Sequence, residues 1–154
     1  MRNWIAAAIV ACALPAAAQS AGKSDVFSSA QIQAQIEKLA DAARATGSSG
    51  TTLADYGSHK VQISVRTASG GAERHAHFDD IMMVEKGSAT LITGGVIVDE
   101  KTEANGESHG SAIRDGKSQT ISVGDIVTVN AGVPHQLIIP AGTLYSAIVI
   151  KVHE

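Results

Sequence analysis

Two histidines at alternating positions, His75 and His77, with Asp80 three residues further on, make the most reactive combination in the chain, and a third imidazole, His135, lies far downstream. In a β-strand, residues i and i+2 project to one side about 7 Å apart, so His75 and His77 are predicted to reach a single cation. His135 comes from a second segment, Gly124-Asp125 through Ala131-Gly132-Val133-Pro134-His135. There Pro134 fixes φ and lacks an N–H, which stiffens the approach to the ring. Three neutral imidazoles and one carboxylate suit a divalent metal and leave one or two positions of a five- or six-coordinate ion open to water or substrate.

These side chains need a frame, and the pattern after residue 50 supplies a β-rich one. Val61, Ile63 and Val65 alternate with Gln62, Ser64 and Arg66. Further apolar runs follow at Ile81 to Lys86, Ser88 to Asp99, Ile126 to Asn130, Gln136 to Ile139 and Leu144 to Val152. Gly-rich or polar breaks separate them, among them Ser69-Gly70-Gly71, Gly94-Gly95, Asp115-Gly116 and Ala141-Gly142, the arrangement of an antiparallel sandwich or small barrel. Ahead of the strands, Ile32, Ile36, Leu39, Ala40 and Ala43 recur at helical spacing between Ser29 and Ala45, with Ser28 or Ser29 as N-cap and Gly47 past the end. The polar stretch from Glu100 to Lys117 reads as a long loop, with His109, Glu103 and Glu107 solvated on it. His59 and His153 are expected to be exposed, Arg74 to face away from the ligand side, and Asp125 to form a turn after Gly124.

The first 18 residues read as a secretory signal: Arg2, an apolar run from Trp4 to Leu14, and Ala16-Ala17-Ala18 as the cleavage site. The run is shorter than the roughly 20 residues a membrane-spanning helix needs. Residues 19–50 are then a leader and amphipathic helix, and 51–154 the β-domain. The sole cysteine, Cys12, falls inside the signal, so the exported protein has no thiol and a metal site must use nitrogen and oxygen. Loss of the signal removes one Arg and no acid, taking the formal charge from −3 to −4, a balance that gives nucleic acid no binding surface. The expected location is periplasmic or secreted, without stable membrane insertion after cleavage.

With these residues in place, the chain resembles the cupin superfamily. The first cupin motif runs from a glycine to His-x-His, an acid and a strand ending in glycine; here Gly70 or Gly71, His75, His77, Asp80 and Gly87 take those places. The second runs Gly-Asp to Gly-x-Pro-His, matched by Gly124-Asp125 and Gly132-Val133-Pro134-His135. The likeness covers about residues 60 to 152. Two features depart from the pattern: the acid is Asp80 rather than glutamate, after two intervening residues instead of three or four, and Asn130 replaces a proline. Asp79 is an alternative ligand.

The resemblance implies a double-stranded β-helix with one divalent metal (Fe, Mn, Zn, Cu or Ni) at the mouth of the barrel, held by His75, His77, Asp80 and His135. It also implies a homodimer, for which the helix and the Val/Ile-rich strand Ala147 to Val152 offer surfaces. The leading functional expectation is a metal-dependent enzyme, of oxygenase, isomerase or lyase type, acting on a small oxygenated organic molecule. The rival is a non-catalytic binder or sensor of a metal or small ligand; a third reading is a structural barrel whose metal site has decayed.

Overall fold

The computed structural model describes residues 24–154, so the expected export signal at residues 1–18 lies outside the described residues. One helix, α1 (Ser29–Thr46), is the first element among the described residues. The Ser28 side chain accepts from the Gln31 N–H while the Gln31 side chain accepts from the Ser28 N–H, a reciprocal cap that satisfies two otherwise unpaired donors. Gly47 ends the helix at φ +90°, a left-handed conformation that costs glycine little. No helix among the described residues is long and apolar enough to cross a membrane.

Thirteen strands follow among the described residues: β1 (Ser48–Asp55), β2 (His59–Arg66), β3 (Ala72–Arg74), β4 (Phe78–Lys86), β5 (Ser88–Thr93), β6 (Val96–Val98), β7 (Lys101–Thr102), β8 (Ser108–Gly110), β9 (Ala112–Arg114), β10 (Lys117–Ser122), β11 (Ile126–Val129), β12 (His135–Ile138) and β13 (Tyr145–His153). They form a five-stranded sheet in the order β1-β2-β13-β4-β11 and a six-stranded sheet in the order β10-β5-β12-β3-β8-β7, with β6 and β9 as a separate pair. Every pairing is antiparallel. The sheets face one another across a core of Met82, Val84, Tyr145, Ala147 and Val129 from the first and Ala89, Leu91 and Ile121 from the second. Helix α1 covers the opposite face of the five-stranded sheet, where Ile36 and Ala43 pack on Ile63 and Val65.

Four expectations change. The β-structure expected after residue 50 begins earlier, because Ser48 already starts β1. There Gly50 lies so near β2 that a Cβ would stand 2.9 Å from the Ile63 carbonyl. The polar stretch from Glu100 to Lys117 contains β7, β8 and β9, two or three residues each and too short to show a periodic apolar pattern. The Val/Ile-rich last strand is not an edge: β13 lies between β2 and β4, so its backbone hydrogen bonds are used within the sheet. Finally, residues 75–77 are not strand, since β3 ends at Arg74 and β4 begins at Phe78.

Register decides what faces the interior. Tyr145, Ala147, Val149 and Lys151 alternate along β13 and lie opposite Arg66, Ser64 and Gln62 of β2, and opposite Val84, Met82 and Asp80 of β4. All but Val84 line one interior cavity of about 180 Å³.

Candidate metal centre

Two cross-strand pairs meet across the mouth of this cavity. On the six-stranded sheet Glu73 of β3 pairs with His135 of β12. On the five-stranded sheet Asp80 of β4 pairs with Lys151 of β13. His75, directly after β3, completes the cluster, its ring 5.2 Å from that of His135 between centroids. His75, Asp80 and His135 are all buried, at 7, 4 and 3% exposure. One donor atom each of Glu73, His75 and His135 lies within 4.8 Å of the others, a spacing that one cation can span.

Bonds on the outer side of each ring fix its tautomer. His75 Nδ1 faces the Glu107 carboxylate, which comes from the β7–β8 turn, and donates its proton there. His135 Nδ1 donates to the Val133 carbonyl at 3.2 Å. Each imidazole therefore presents an Nε2 lone pair inward, the form a metal requires, with the outer partner setting ring orientation. His135 Nε2 is buried and has no hydrogen-bond partner; its neighbours are Glu73 Oε1 at 3.4 Å and Asp80 Oδ2 at 3.7 Å. Acceptors facing acceptors repel unless a cation lies between them.

Lys151 supplies part of that cation. Its Nζ lies 2.7 Å from Asp80 Oδ1 and 2.8 Å from His75 Nε2, to both of which it donates. Three carboxylates (Glu73, Asp80, Glu107) set against this one ammonium leave two negative charges, the amount a divalent ion neutralises.

The carboxylates respond to this field. Burial would raise Glu73, but the nearby imidazoles of His135 and His75 and the Lys151 ammonium hold it down at about 2. Burial likewise opposes ionisation of Asp80, and His75 and Lys151 overcome it, so its pKa lies below the ordinary value. For His75, burial favours the neutral ring and so does Lys151; Asp80 and Glu107 outweigh them and raise its pKa. A proton on Nε2 would remove the acceptor that Lys151 uses. A proton and the ammonium therefore compete for that ring nitrogen.

Of the four ligands expected from sequence, His75, Asp80 and His135 come together and His77 does not. The chain bends at Ala76-His77, where the His75 carbonyl accepts the Gly132 N–H at 2.7 Å, and strand alternation is lost. His77 is exposed and lies parallel to the ring of His153, centroids 6.5 Å apart. Alternation instead pairs Glu73 with His75, while Arg74 points outward to Glu100 and Ser108. Asp79, the alternative ligand, accepts from the Ala131 N–H at 2.7 Å and so ties the two site-forming segments together. Asp125 makes the expected turn, accepting from the Ser122 N–H. His109 is half exposed near Glu103, whereas Glu107 from the same stretch enters the site.

A sequence signal for Glu73 existed. With Glu73-Arg74-His75 in the place given to His75-Ala76-His77, four residues separate His75 from Asp80, which restores the interval of the motif. Lys151 carried no such signal, because only the register of β13 brings it to the mouth.

No protein-family model matches the chain and no curated protein is similar to it in sequence. Solved structures are similar in fold. A double-stranded β-helix protein from Klebsiella pneumoniae superposes with a TM-score of 0.58 at 13% identity, over 84% of this chain and 90% of its own. A recombinant oxalate oxidase gives 0.56 at 16%, over 86% and 62%. A cupin-2 domain from Rhodospirillum rubrum gives 0.51 at 16%, over 70% and 61%. The chain thus spans about three fifths of the length of the last two. The fold is that of the cupins, a double-stranded β-helix preceded by one helix.

Proposed function

We propose that the chain is an exported metal-binding cupin that uses Glu73, His75, Asp80 and His135 to hold one divalent cation and acts on a small oxygenated organic molecule. The observation that carries this reading is the buried, unpartnered Nε2 of His135, aimed at two carboxylates in a cluster with two negative charges uncompensated. Two carboxylates beside two imidazoles make a harder donor set than three imidazoles and favour manganese, iron or zinc over copper. When bound, the ion supplies Lewis acidity to a carbonyl, enolate or carboxylate oxygen of the substrate.

The chain's own residues do the rest. Glu107 and the Val133 carbonyl orient the two rings. Lys151, which donates to Asp80 and His75, would compete with a bound cation for those atoms and is placed to donate a hydrogen bond to a substrate oxygen in the cavity. The walls formed by Met82, Leu137 and Val149 limit access of water. The reaction belongs to the oxygenase, isomerase or lyase types.

The test is elemental analysis of the protein isolated from its native compartment, alongside His135→Ala. The reading predicts about one divalent ion per chain in the parent and its loss in the variant. Parent protein free of metal, or a variant that retains it, contradicts the reading. A second reading, a non-catalytic binder, is supported by Lys151, whose ammonium satisfies Asp80 and His75 without any metal. Ligand-induced stabilisation with no turnover across metal-loaded preparations would favour it.

A further inference from the structure

The cavity has a second polar end that the metal set does not use. Arg66 and Tyr145 face each other as cross-strand neighbours on β2 and β13, and both line the cavity. Tyr145 is fully buried, yet its hydroxyl has no hydrogen-bond partner; the Nε of Arg66 is likewise buried and unpartnered. The guanidinium lies close against the turn beside it: a Cβ at Gly70 would stand 2.7 Å from Nη1 of Arg66. Leaving buried donors unpaired costs roughly 1–3 kcal/mol each, so two in one cavity mark a place built for an acceptor. Burial raises the Tyr145 pKa to about 12 against the opposing charge of Arg66, so the hydroxyl remains a neutral donor at any physiological pH.

We propose that Arg66 and Tyr145 form a subsite for the carboxylate of a short-chain organic acid. A positive guanidinium beside a neutral hydroxyl matches the two oxygens of an anion better than it matches an amide or alcohol. Between this subsite and the metal set the wall is mainly apolar, formed by Met82, Leu137, Ala147 and Val149, with Ser64 and Gln62 of β2 as its polar members, and it suits a short alkyl body better than a fully polar phosphate. A cavity of about 180 Å³ is small and suits an acid of a few carbons. This assigns a substrate class to the site proposed above and rests on that reading only for what happens at the metal end.

The test is calorimetric titration of the full protein with propionate, lactate, propionamide and inorganic phosphate, repeated on Tyr145→Phe and Arg66→Met. Tyr145→Phe keeps the ring and the core intact, so it remains informative even where Arg66→Met folds poorly. The inference predicts binding of propionate and lactate at least tenfold tighter than propionamide or phosphate. It also predicts weakening of about tenfold in Tyr145→Phe, loss in Arg66→Met, and the parent metal content in both variants. Binding of amide or phosphate as tight as that of the acids overturns it, as does binding of no probe at all. Acid binding lost in His135→Ala but unchanged in Arg66→Met and Tyr145→Phe also overturns it, because the metal alone would then hold the carboxylate. Acid binding that depends on Arg66 in a protein that holds no metal would leave the subsite standing while the metal reading falls.

Discussion

The two faces of the five-stranded sheet are built from the same strands and serve different ends. On the outer face Ile63 and Val65 are sealed by Ile36 and Ala43 of α1, and the contacts are mainly apolar, with the buried Ser146 hydroxyl beside Val65 left without a partner. On the inner face Arg66, Asp80, Tyr145 and Lys151 take positions that alternation would allow to be apolar, and several polar atoms are left without partners. One face contributes stability that needs nothing outside the chain; the other carries charge and unpaired donors that a cation and a ligand would complete. Proteins commonly tolerate such unsatisfied groups where they bind something.

Substitutions on the two faces should therefore separate stability from metal binding. Ile63→Ala, at 1% exposure beneath the helix, is expected to cost about 2–4 kcal/mol of folding stability in denaturant titration, with metal content unchanged. His135→Ala is expected to leave the metal-free stability within about 1 kcal/mol of the parent and to weaken metal binding by more than about a hundredfold. If both variants lost metal and stability together, the two faces would be a single unit and the comparison would fail.

Glu107→Ala removes the outer partner of His75 without touching a proposed ligand. A loss of about 10- to 100-fold in metal affinity is expected by chelator competition, as for other residues that orient a ligating ring. Lys151→Met acts in the opposite direction, because it removes the ammonium a cation must displace: affinity should rise by about tenfold, or ~1.4 kcal/mol. An unchanged or lower affinity in Lys151→Met would mean that the lysine assists the cation instead of competing with it.

The smallest effect concerns acid. Glu73 and Asp80 have folded-state pKa values below their unfolded ones, so the stability they contribute is complete above the ordinary carboxylate range and is lost as pH falls through the folded values, about 2 for Glu73. His75 has the reverse sign: its raised pKa contributes stability below the unfolded value near 6.5, lost as pH rises through the folded one. Thermal melts of chelator-treated protein should thus fall on acidification toward pH 2, and Asp80→Asn should flatten that slope.

What the sequence made legible was local. The helix with its serine cap and terminal glycine follows from spacing within 20 residues, and the alternation of β2 follows from its own side chains. His135 was recognisable because Gly132, Pro134 and the histidine are contiguous. The missing parts depend on pairing between distant segments. The chain leaves strand geometry after Arg74, where the His75 carbonyl accepts the Gly132 N–H, and Glu73 rather than His77 then accompanies His75 in the candidate cation set. Which side of β2 Arg66 occupies is fixed only by its register with Tyr145, and Lys151 enters the site only because β13 lies between β2 and β4. A one-residue slip in a strand reverses every side chain, so such placements lie beyond local pattern.

The central claim is that the cation set is centred on Glu73 and His75 rather than on His75 and His77, and one paired measurement tests it most directly. Metal content and affinity are compared for Glu73→Gln and His77→Ala, each loaded with the ion found in the parent. The structure predicts that Glu73→Gln loses most of its metal and His77→Ala retains about one ion per chain at parent affinity. Retention by Glu73→Gln together with loss in His77→Ala would contradict it.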